Sequence, residues 1–346
     1  MTSELIKQRT ISSYMHTVVA DALAMPFMNR PCKILASYFE HSGSPLNLTQ
    51  ALEGSPGEGK KVGSVTDVAS LGSTILSYLL RQNASINVAG IKEALVLWKD
   101  SPFTSEYYQT YAGNATRRGI DIIQGAYEYT RFDKVPCDSR RISNGAASRA
   151  WVAGLMNPGN IDQAIRDAVT MSAVTHRNAI ALSGAAIVAA LVSSALVKKL
   201  TAADVYELAV SCAKESYKYA ESVIGITSVG SKILPRLEIA AEIAVKYRHD
   251  EGKLLRDLND FVGFGNYTSE VVPAAIGIVL AYGQDIKKSL SIAIAAGNNC
   301  NKTAAIVAAI CGADADAAWL YDQYWDEVCQ ANSCDLRGVH KQLMEA

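Results

Sequence analysis

The 346-residue sequence predicts an all-α fold, and three features of the chain predict it. Apolar residues recur at helical spacing through most of the chain. No stretch shows the alternation of apolar and polar residues that is typical of strands. No low-complexity tract or linker separates the helical segments. Together they predict one domain over residues 1–346, with about a dozen helices, since a chain of this length can bury a large core.

The predicted helices of the N-terminal part are separated by polar loops. The first spans residues 11–23 and is interrupted near Pro26. Residues 28–63 are rich in proline and glycine, so we expect a loop there. The next helices are predicted at residues 66–80, 88–98 and 119–129, followed by a second polar loop that extends to residue 141.

The remainder of the chain is predicted to be nearly continuous helix. Its helical segments span residues 144–155, 161–175, 178–200, 202–220, 234–247, 251–261, 270–282, 286–296, 303–313 and 315–330. Residues 178–197 carry no charge, yet their alanine, glycine and serine content makes them only weakly hydrophobic, which favours a core helix over a membrane span. Residues 319–334 read as an aromatic helix followed by a frayed end, suited to core packing or a subunit contact.

Composition narrows the classes of partner. Lysine and arginine number 33 against 34 acidic residues, which argues against a nucleic-acid binder or a polybasic membrane-surface protein. The seven cysteines are scattered without zinc spacing, which is typical of reduced thiols. The N-terminus lacks an apolar signal core, so we expect a cytoplasmic protein whose partner is a small molecule. The sequence predicts no particular oligomeric state.

A polar segment, residues 297–303, lies between two alanine-rich runs. We expect a helix to begin there, with Asn299, Asn301 and Lys302 at its buried N-terminus. An ammonium among apolar neighbours requires a carboxylate, carbonyl groups or a ligand. The alternative is an ordinary capped helix whose lysine extends to water.

Five further polar segments interrupt the helical pattern, at residues 20–28, 63–71, 143–149, 175–178 and 263–275. In this order, with residues 297–303 last, they resemble the signature of the ADP-ribosylglycohydrolase family over residues 10–315. The resemblance implies an orthogonally packed multi-helix bundle. It also implies a site where two magnesium ions hold the ribose of an ADP-ribosyl compound or a related N-glycoside.

The sequence departs from the family pattern at the expected magnesium ligands. Met28 and Val68 stand where the family usually has acidic residues, and Asn299 and Asn301 replace two aspartates. Magnesium prefers near-octahedral oxygen ligands that include carboxylates. We therefore predict that this chain has lost the magnesium pair and uses no metal or other cofactor.

Lys302 is the predicted substitute for the missing cation. If the family fold is kept, it lies beside Asp67, and the two charges neutralise each other. Lys302, Asn299 and Asn301 would then bind sugar hydroxyls directly. Cleavage of an N-glycosidic bond passes through an oxocarbenium-like state that a carboxylate stabilises, and Asp67 is the candidate for that role or for orienting water.

Other candidate substrate-binding residues come from the same segments. They are Asp21, Thr66, Asn144, Arg149, His176 and Glu270. Arg149 suits a phosphate or a base edge, and His176 suits acid or base chemistry.

Each of these assignments has a structural alternative. Asp21 would anchor the first helix, Asn144 would cap a helix, and Glu270 would begin one. His176 would be a hydrogen-bonded structural residue.

Three functions stay open from the sequence. The first is a metal-independent hydrolase that cleaves a nucleoside-like or ADP-ribosyl small molecule. The second is an inactive protein that binds a ribosyl ligand in the same pocket. The third is a different reaction in that pocket, with Lys302 as the key group, although a nucleophilic lysine needs a lowered pKa and a carbonyl substrate.

Overall fold

The computed structural model describes residues 2–129, 141–225 and 228–345, and their regular elements are helices. These residues form no β-strand, and their only β-pairings are isolated bridges, Pro31 with Gly297 and Ser143 with Tyr267. The all-α prediction is therefore confirmed. Most of the polar loop predicted before residue 141 lies outside the described residues.

Six α-helices lie before the first gap. They are α1 Ser3–Ala24, α2 Cys32–Ser42, α3 Asp67–Gln82, α4 Val88–Asp100, α5 Ser105–Tyr111 and α6 Asn114–Ile123. A 3-10 turn, Met25–Phe27, extends α1 through Pro26.

The helices after this gap follow one another closely. They are α7 Trp151–Leu155, α8 Ile161–Ala173, α9 Ala179–Val197, α10 Ala202–Ile224, α11 Ile233–Lys246, α12 Glu251–Asp257, α13 Thr268–Tyr282, α14 Ile286–Ala295, α15 Cys300–Cys311, α16 Ala318–Leu320, α17 Asp326–Ala331 and α18 Leu336–Glu345. Short 3-10 turns occupy Ala147–Arg149 and Gly312–Asp314, and π-helical turns occupy Leu258–Val262 and Tyr321–Trp325.

Several predicted boundaries are wrong. The supposed loop at residues 28–63 contains α2, whose single fully buried side chain, Leu35, gives too weak an apolar pattern to reveal it. The helix expected at residues 119–129 is α6, which begins five residues earlier and ends at Ile123. The predicted frayed end is followed by α18, which buries Leu336, Val339 and Leu343.

The prediction of a helix at residues 144–155 is wrong for its first half. Residues 144–146 form a turn, and α7 begins only at Trp151. The backbone N–H of Asn144 donates to the carbonyl of Asn266, 3.0 Å away, which ties this turn to a distant loop.

Helix α9 lies at the centre of the bundle. It packs against α7, α8, α10, α13 and α15. By length and composition it could cross a membrane, with a mean hydropathy of 2.3, but 94% of it is buried inside the protein. At Gly184 a methyl group would lie only 2.1 Å from Cγ2 of Thr268 on α13. Small residues therefore let these helices approach closely, as predicted.

Helix ends converge at one pole of the bundle. The C-terminal end of α1 meets the N-terminal ends of α3 and α15 through hydrogen bonds of Asp21, Thr66 and Asn301. The loop before α13 joins the same pole, because the carbonyl of Phe264 accepts from the N–H of Asn299 at 3.1 Å. The polar segments that interrupt the sequence pattern are thereby brought together.

Gly297 begins the turn before α15, and only glycine fits at this position. Its φ is +63°, and Asn298 follows at +50°. The N–H of Asn298 donates to the carbonyl of Arg30, and the carbonyl of Asn298 accepts from Asn29, each at 2.8 Å. A Cβ on Gly297 would lie 2.0 Å from the carbonyl oxygen of Arg30.

We expect Gly297→Ala to lower the free energy of unfolding by about 3 kcal/mol, because strain at positive φ adds to a backbone clash. Urea unfolding followed by circular dichroism measures it. Gly59→Ala is the matched control, since Gly59 has φ +78° with open space around its Cα. Equal losses in the two variants would contradict the role of the clash.

Candidate functional site

An ion pair between Lys302 and Asp67 lies at the centre of the candidate site. Nζ of Lys302 donates to Oδ1 of Asp67 across 235 positions of sequence. Both side chains are nearly covered, with 8% of Lys302 and 12% of Asp67 exposed. Lys302 comes from the first turn of α15, and Asp67 is the first residue of α3. The predicted partnership of these residues is therefore present in the structure.

Asp21 holds the N-terminus of α3 in place from beneath. Its carboxylate accepts hydrogen bonds from the N–H of Thr66 at 2.8 Å, the hydroxyl of Thr66 at 2.7 Å and the N–H of Ala69 at 3.0 Å. Asp21 is fully buried. It positions Asp67 through Thr66, which also caps α3 by accepting from the N–H of Val68.

Burial raises the pKa of Asp21 from 3.8 to about 6, against the opposing hydrogen bonds of Thr66 and the charge of Lys302. Because the folded pKa is the higher one, this carboxyl contributes stability at low pH that is lost as pH rises through about 6. The shift corresponds to about 3 kcal/mol between the two limits.

We expect Asp21→Asn to remove this titration. The free energy of unfolding of the wild type, minus that of Asp21→Asn, should fall by as much as about 3 kcal/mol between about pH 4 and about pH 7.5. Urea titrations across this range measure the difference. Asp322→Asn, at an exposed position, is the control measured under the same conditions. A flat difference for Asp21→Asn would contradict the role of its raised pKa.

Thr66 links the carboxylate of Asp21 to the side chain of Asn301. Since the Thr66 hydroxyl donates to Asp21, it can only accept from Nδ2 of Asn301, at 3.0 Å. This fixes the orientation of the amide and leaves Oδ1 of Asn301 buried without a partner among the described residues. Asn301 thus presents an unsatisfied acceptor beside the ion pair.

Two more polar atoms near the ion pair have no partner within the described part of the chain. Oδ2 of Asp67 accepts no hydrogen bond there, since only Oδ1 contacts Lys302. The hydroxyl of Tyr111, on α5, is likewise buried and unpaired. Burial raises the pKa of Tyr111, and the charges of Asp21 and Asp67 raise it further, so the hydroxyl keeps its proton at neutral pH.

Arg149 is a second buried cation of the site. Its guanidinium donates to the hydroxyls of Thr116 and Thr175, and its Nε has no partner among the described residues. Burial lowers the pKa of Arg149 to about 10, and the charge of Asp67 opposes this shift. Arg149 therefore stays charged at neutral pH and adds positive potential near Asp67.

His176 lies near Arg149, and its neutral ring is held in place by hydrogen bonds. Its Nδ1 is 2.8 Å from the hydroxyl of Thr175, and its Nε2 is 3.1 Å from the hydroxyl of Ser143. Burial and the charges of Arg149, Arg141 and Lys302 hold its pKa well below the usual range. With both nitrogens occupied, His176 orders the residues around it, which is the structural alternative drawn from the sequence.

Asn144 and Asn299 hold the loop before α13 against the site. Nδ2 of Asn144 donates to the carbonyl of Gly265 at 3.1 Å. The backbone N–H of Asn299 donates to the carbonyl of Phe264 in this loop, and the carbonyl of Asn299 accepts from the N–H groups of Lys302 and Thr303. Asn144 therefore holds a distant loop by a hydrogen bond and does not cap a helix.

Glu270 packs against the same loop and lies in the first turn of α13. Its Oε2 accepts from the N–H of Tyr267 at 3.4 Å, and Oε1 is 3.7 Å from the guanidinium of Arg236. A Cβ on Gly265 would come within 2.4 Å of Glu270. These contacts place Glu270 in a capping and packing role.

The donor set does not fit a pair of magnesium ions. Both carboxylate oxygens of Asp21 are occupied by N–H and O–H donors, and one oxygen of Asp67 is occupied by an ammonium. In the described residues no group of three or more histidine, cysteine, aspartate or glutamate side chains is placed to hold a metal. The neutral acceptor of Asn301 cannot replace the missing carboxylates.

Comparison with known proteins finds a family, a relative in sequence and solved structures that match this chain. The model of the ADP-ribosylglycohydrolase family matches residues 2–346. Uncharacterized protein YegU of Escherichia coli (strain K12) is 29% identical over 177 residues, which are 51% of this chain and about half, 51%, of that protein. A solved structure described as an ADP-ribosylglycohydrolase-related protein complex superposes with a TM-score of 0.58 at 15% identity, over 99% of each chain. The structural likeness shows a shared fold.

Proposed function

This chain belongs to the ADP-ribosylglycohydrolase family, a family of glycosyl hydrolases, and on that premise we propose a metal-independent member of it. The proposed reaction is hydrolysis of the N-glycosidic bond of a ribosyl compound, either nucleoside-like or an ADP-ribosyl small molecule. The observation that carries the proposal is the charge balance of the site. The carboxylates of Asp21 and Asp67 are matched by the cations of Lys302 and Arg149, so no net negative charge is left here for a metal ion to neutralise.

Asp67 supplies the chemistry in this proposal. As the bond from the sugar carbon to nitrogen breaks, its electron pair leaves with the nitrogen, and positive charge develops on the ring. Oδ2 of Asp67 is open to stabilise that charge, while Lys302 fixes the carboxylate through Oδ1. The leaving nitrogen takes up a proton from solvent, water adds to the carbon and gives a proton to Asp67, and Asp67 then returns that proton to solvent.

Asn301 and Tyr111 are proposed to bind the sugar. Oδ1 of Asn301 is an acceptor and the hydroxyl of Tyr111 a donor, and both are buried without partners in the described parts of the chain. Burying a polar atom without a hydrogen bond costs free energy, so such atoms favour a ligand that satisfies them. Adjacent hydroxyls of a ribosyl group have both donors and acceptors to offer.

A binding protein is the second candidate function, and one observation favours it. Asp21 cannot turn toward a substrate, because all of its contacts hold α3, and Asp67 already shares its charge with Lys302. A site in which each carboxylate is engaged suits recognition as well as catalysis.

A turnover assay separates these functions. Ribonucleosides, modified nucleosides, NAD and ADP-ribosyl-arginine are incubated with the protein, first with EDTA and then with magnesium. We expect release of the base or leaving group in the presence of EDTA. Activity that disappears with the chelator and returns with magnesium would overturn metal independence. No turnover, with thermal stabilisation by a ribosyl ligand, would support the binding protein.

A further inference from the structure

A cavity of about 820 Å³ lies at the pole of the bundle opposite the candidate site. It forms where the α9–α10 turn and the α13–α14 turn approach the C-terminal end of α15. Its volume is that of a site for a small organic ligand. No part of the proposed reaction uses this cavity.

Two pairs of lysines line the cavity, one on each turn. Lys198 and Lys199 lie on the α9–α10 turn, and Lys287 and Lys288 lie on the α13–α14 turn. The positive N-terminal ends of α10 and α14 open beside them. The cavity therefore gathers cationic groups from two separate parts of the chain.

The acidic residues here neutralise some of these lysines but not all. Asp204 pairs with Lys198 and Glu251 with Lys288, each at 2.7 Å. Asp314 pairs with Arg9 and lies 3.6 Å from Lys199.

Lys287 has no carboxylate partner among the described residues. Its ammonium lies 4.8 Å from the centre of the Trp319 ring instead. The two remaining acidic residues that line the cavity, Asp285 and Asp316, accept backbone N–H bonds at 3.1 and 2.9 Å, and their negative charges still offset part of the positive charge here. Within the described residues, Lys287, and Lys199 with its carboxylate 3.6 Å away, are the lining lysines held least closely by an acidic partner.

The cavity also offers an aromatic surface and an unused hydroxyl. Trp319 lines it, and the indole N–H points away, donating to Nε2 of His16 at 3.2 Å. Tyr282 lines it as well, and its hydroxyl is buried with no hydrogen-bond partner in the part of the chain that the structure describes. Only 9% of Tyr282 is exposed. A buried donor of this kind gains most from a ligand that accepts from it.

We propose that this cavity binds a small phosphomonoester that carries a planar ring, with a nucleoside monophosphate as the representative compound. In this proposal the ammonium of Lys287 leaves the Trp319 ring and contacts the phosphate together with Lys199, the ligand ring takes its place on Trp319, and Tyr282 donates to the ligand. A charge-assisted contact accounts for the phosphate, and an indole face accounts for the ring. This site is separate from the candidate site, because α13 alone places about 21 Å between Thr268 and Tyr282.

Isothermal titration calorimetry with AMP tests the proposal at low ionic strength. We use the Asp67→Asn background, which suppresses turnover, and compare it with the wild type. Saturable binding of AMP is expected. Ribose 5-phosphate lacks the ring, and adenosine lacks the phosphate, so each should bind at least about 10-fold more weakly.

Variants locate the binding. The pair Lys199→Gln and Lys287→Gln should raise the Kd of AMP by about 10-fold or more. Tyr282→Phe removes only the unpaired hydroxyl and should raise it by about 5-fold. Lys92→Gln with Lys218→Gln, at exposed positions elsewhere, should leave it unchanged.

Two results would overturn the proposal. One is the absence of saturable AMP binding at millimolar concentration. The other is AMP binding that is as tight in the Lys199→Gln and Lys287→Gln variant as in its parent; a further difference between the wild type and Asp67→Asn would assign that binding to the candidate site. Neither result bears on the charge balance around Lys302, so the proposed hydrolase stands or fails separately.

Discussion

Asp67→Asn should lower kcat/KM for the ribosyl substrate by about 10³-fold with EDTA present, the range typical of a lost acid, base or charge-stabilising group. The amide keeps the shape of the side chain but cannot stabilise the positive charge that develops on the sugar. The measurement is base release under saturating and limiting substrate. Asp322→Asn is the control, because Asp322 is exposed and is not one of the site residues, and this variant should keep full activity.

Folding of Asp67→Asn must be checked, because Lys302 loses its counter-charge in this variant. Circular dichroism and the unfolding midpoint serve that purpose. A folded Asp67→Asn protein that retains activity within a few-fold of the wild type would remove Asp67 from the proposed mechanism. It would direct attention to the water and the leaving group instead.

Lys302→Met should lower the free energy of unfolding by about 3 kcal/mol, because it leaves the Asp67 carboxylate nearly buried without its partner. The combination of Lys302→Met with Asp67→Asn should recover at least half of this loss, since neither charge then remains. Urea unfolding of the wild type, the two single variants and the double variant gives the coupling energy directly.

The exposed pair of Arg337 and Asp326 is a matched comparison. Its side chains are 54% and 72% exposed, at an N–O distance of 2.7 Å. The same double-mutant cycle there, with Arg337→Met and Asp326→Asn, should give a coupling below about 1 kcal/mol. If the Lys302 cycle gives an equally small value, the ion pair does not hold the site together.

Motif order was sufficient to predict the central contact of the site. Lys302 and Asp67 are far apart in sequence, and no local pattern joins them. They could be placed together only because six polar segments occur in the order of a known family. The chemistry of a buried lysine then required a carboxylate, and Asp67 was the acidic residue that remained.

The hydrogen-bond partners of the surrounding polar residues could not be predicted from motif order. Asn144, His176 and Glu270 were candidates for substrate binding, yet their hydrogen bonds join the loop before α13, the Thr175 region and a helix start. The residue types suit either role. Only the three-dimensional arrangement decides which donor meets which acceptor, and the same holds for the unpaired atoms of Asn301 and Tyr111.

The central position of α9 also has a consequence for synthesis of the chain. On the ribosome, α7 and α8 emerge before this apolar helix, whereas α10, α13 and α15 emerge after it. At about 5–20 residues per second, several seconds pass before the last of these partners leaves the exit tunnel. Throughout that interval this apolar helix lacks some of its native partners, so the incomplete chain is most exposed to aggregation before α15 is made.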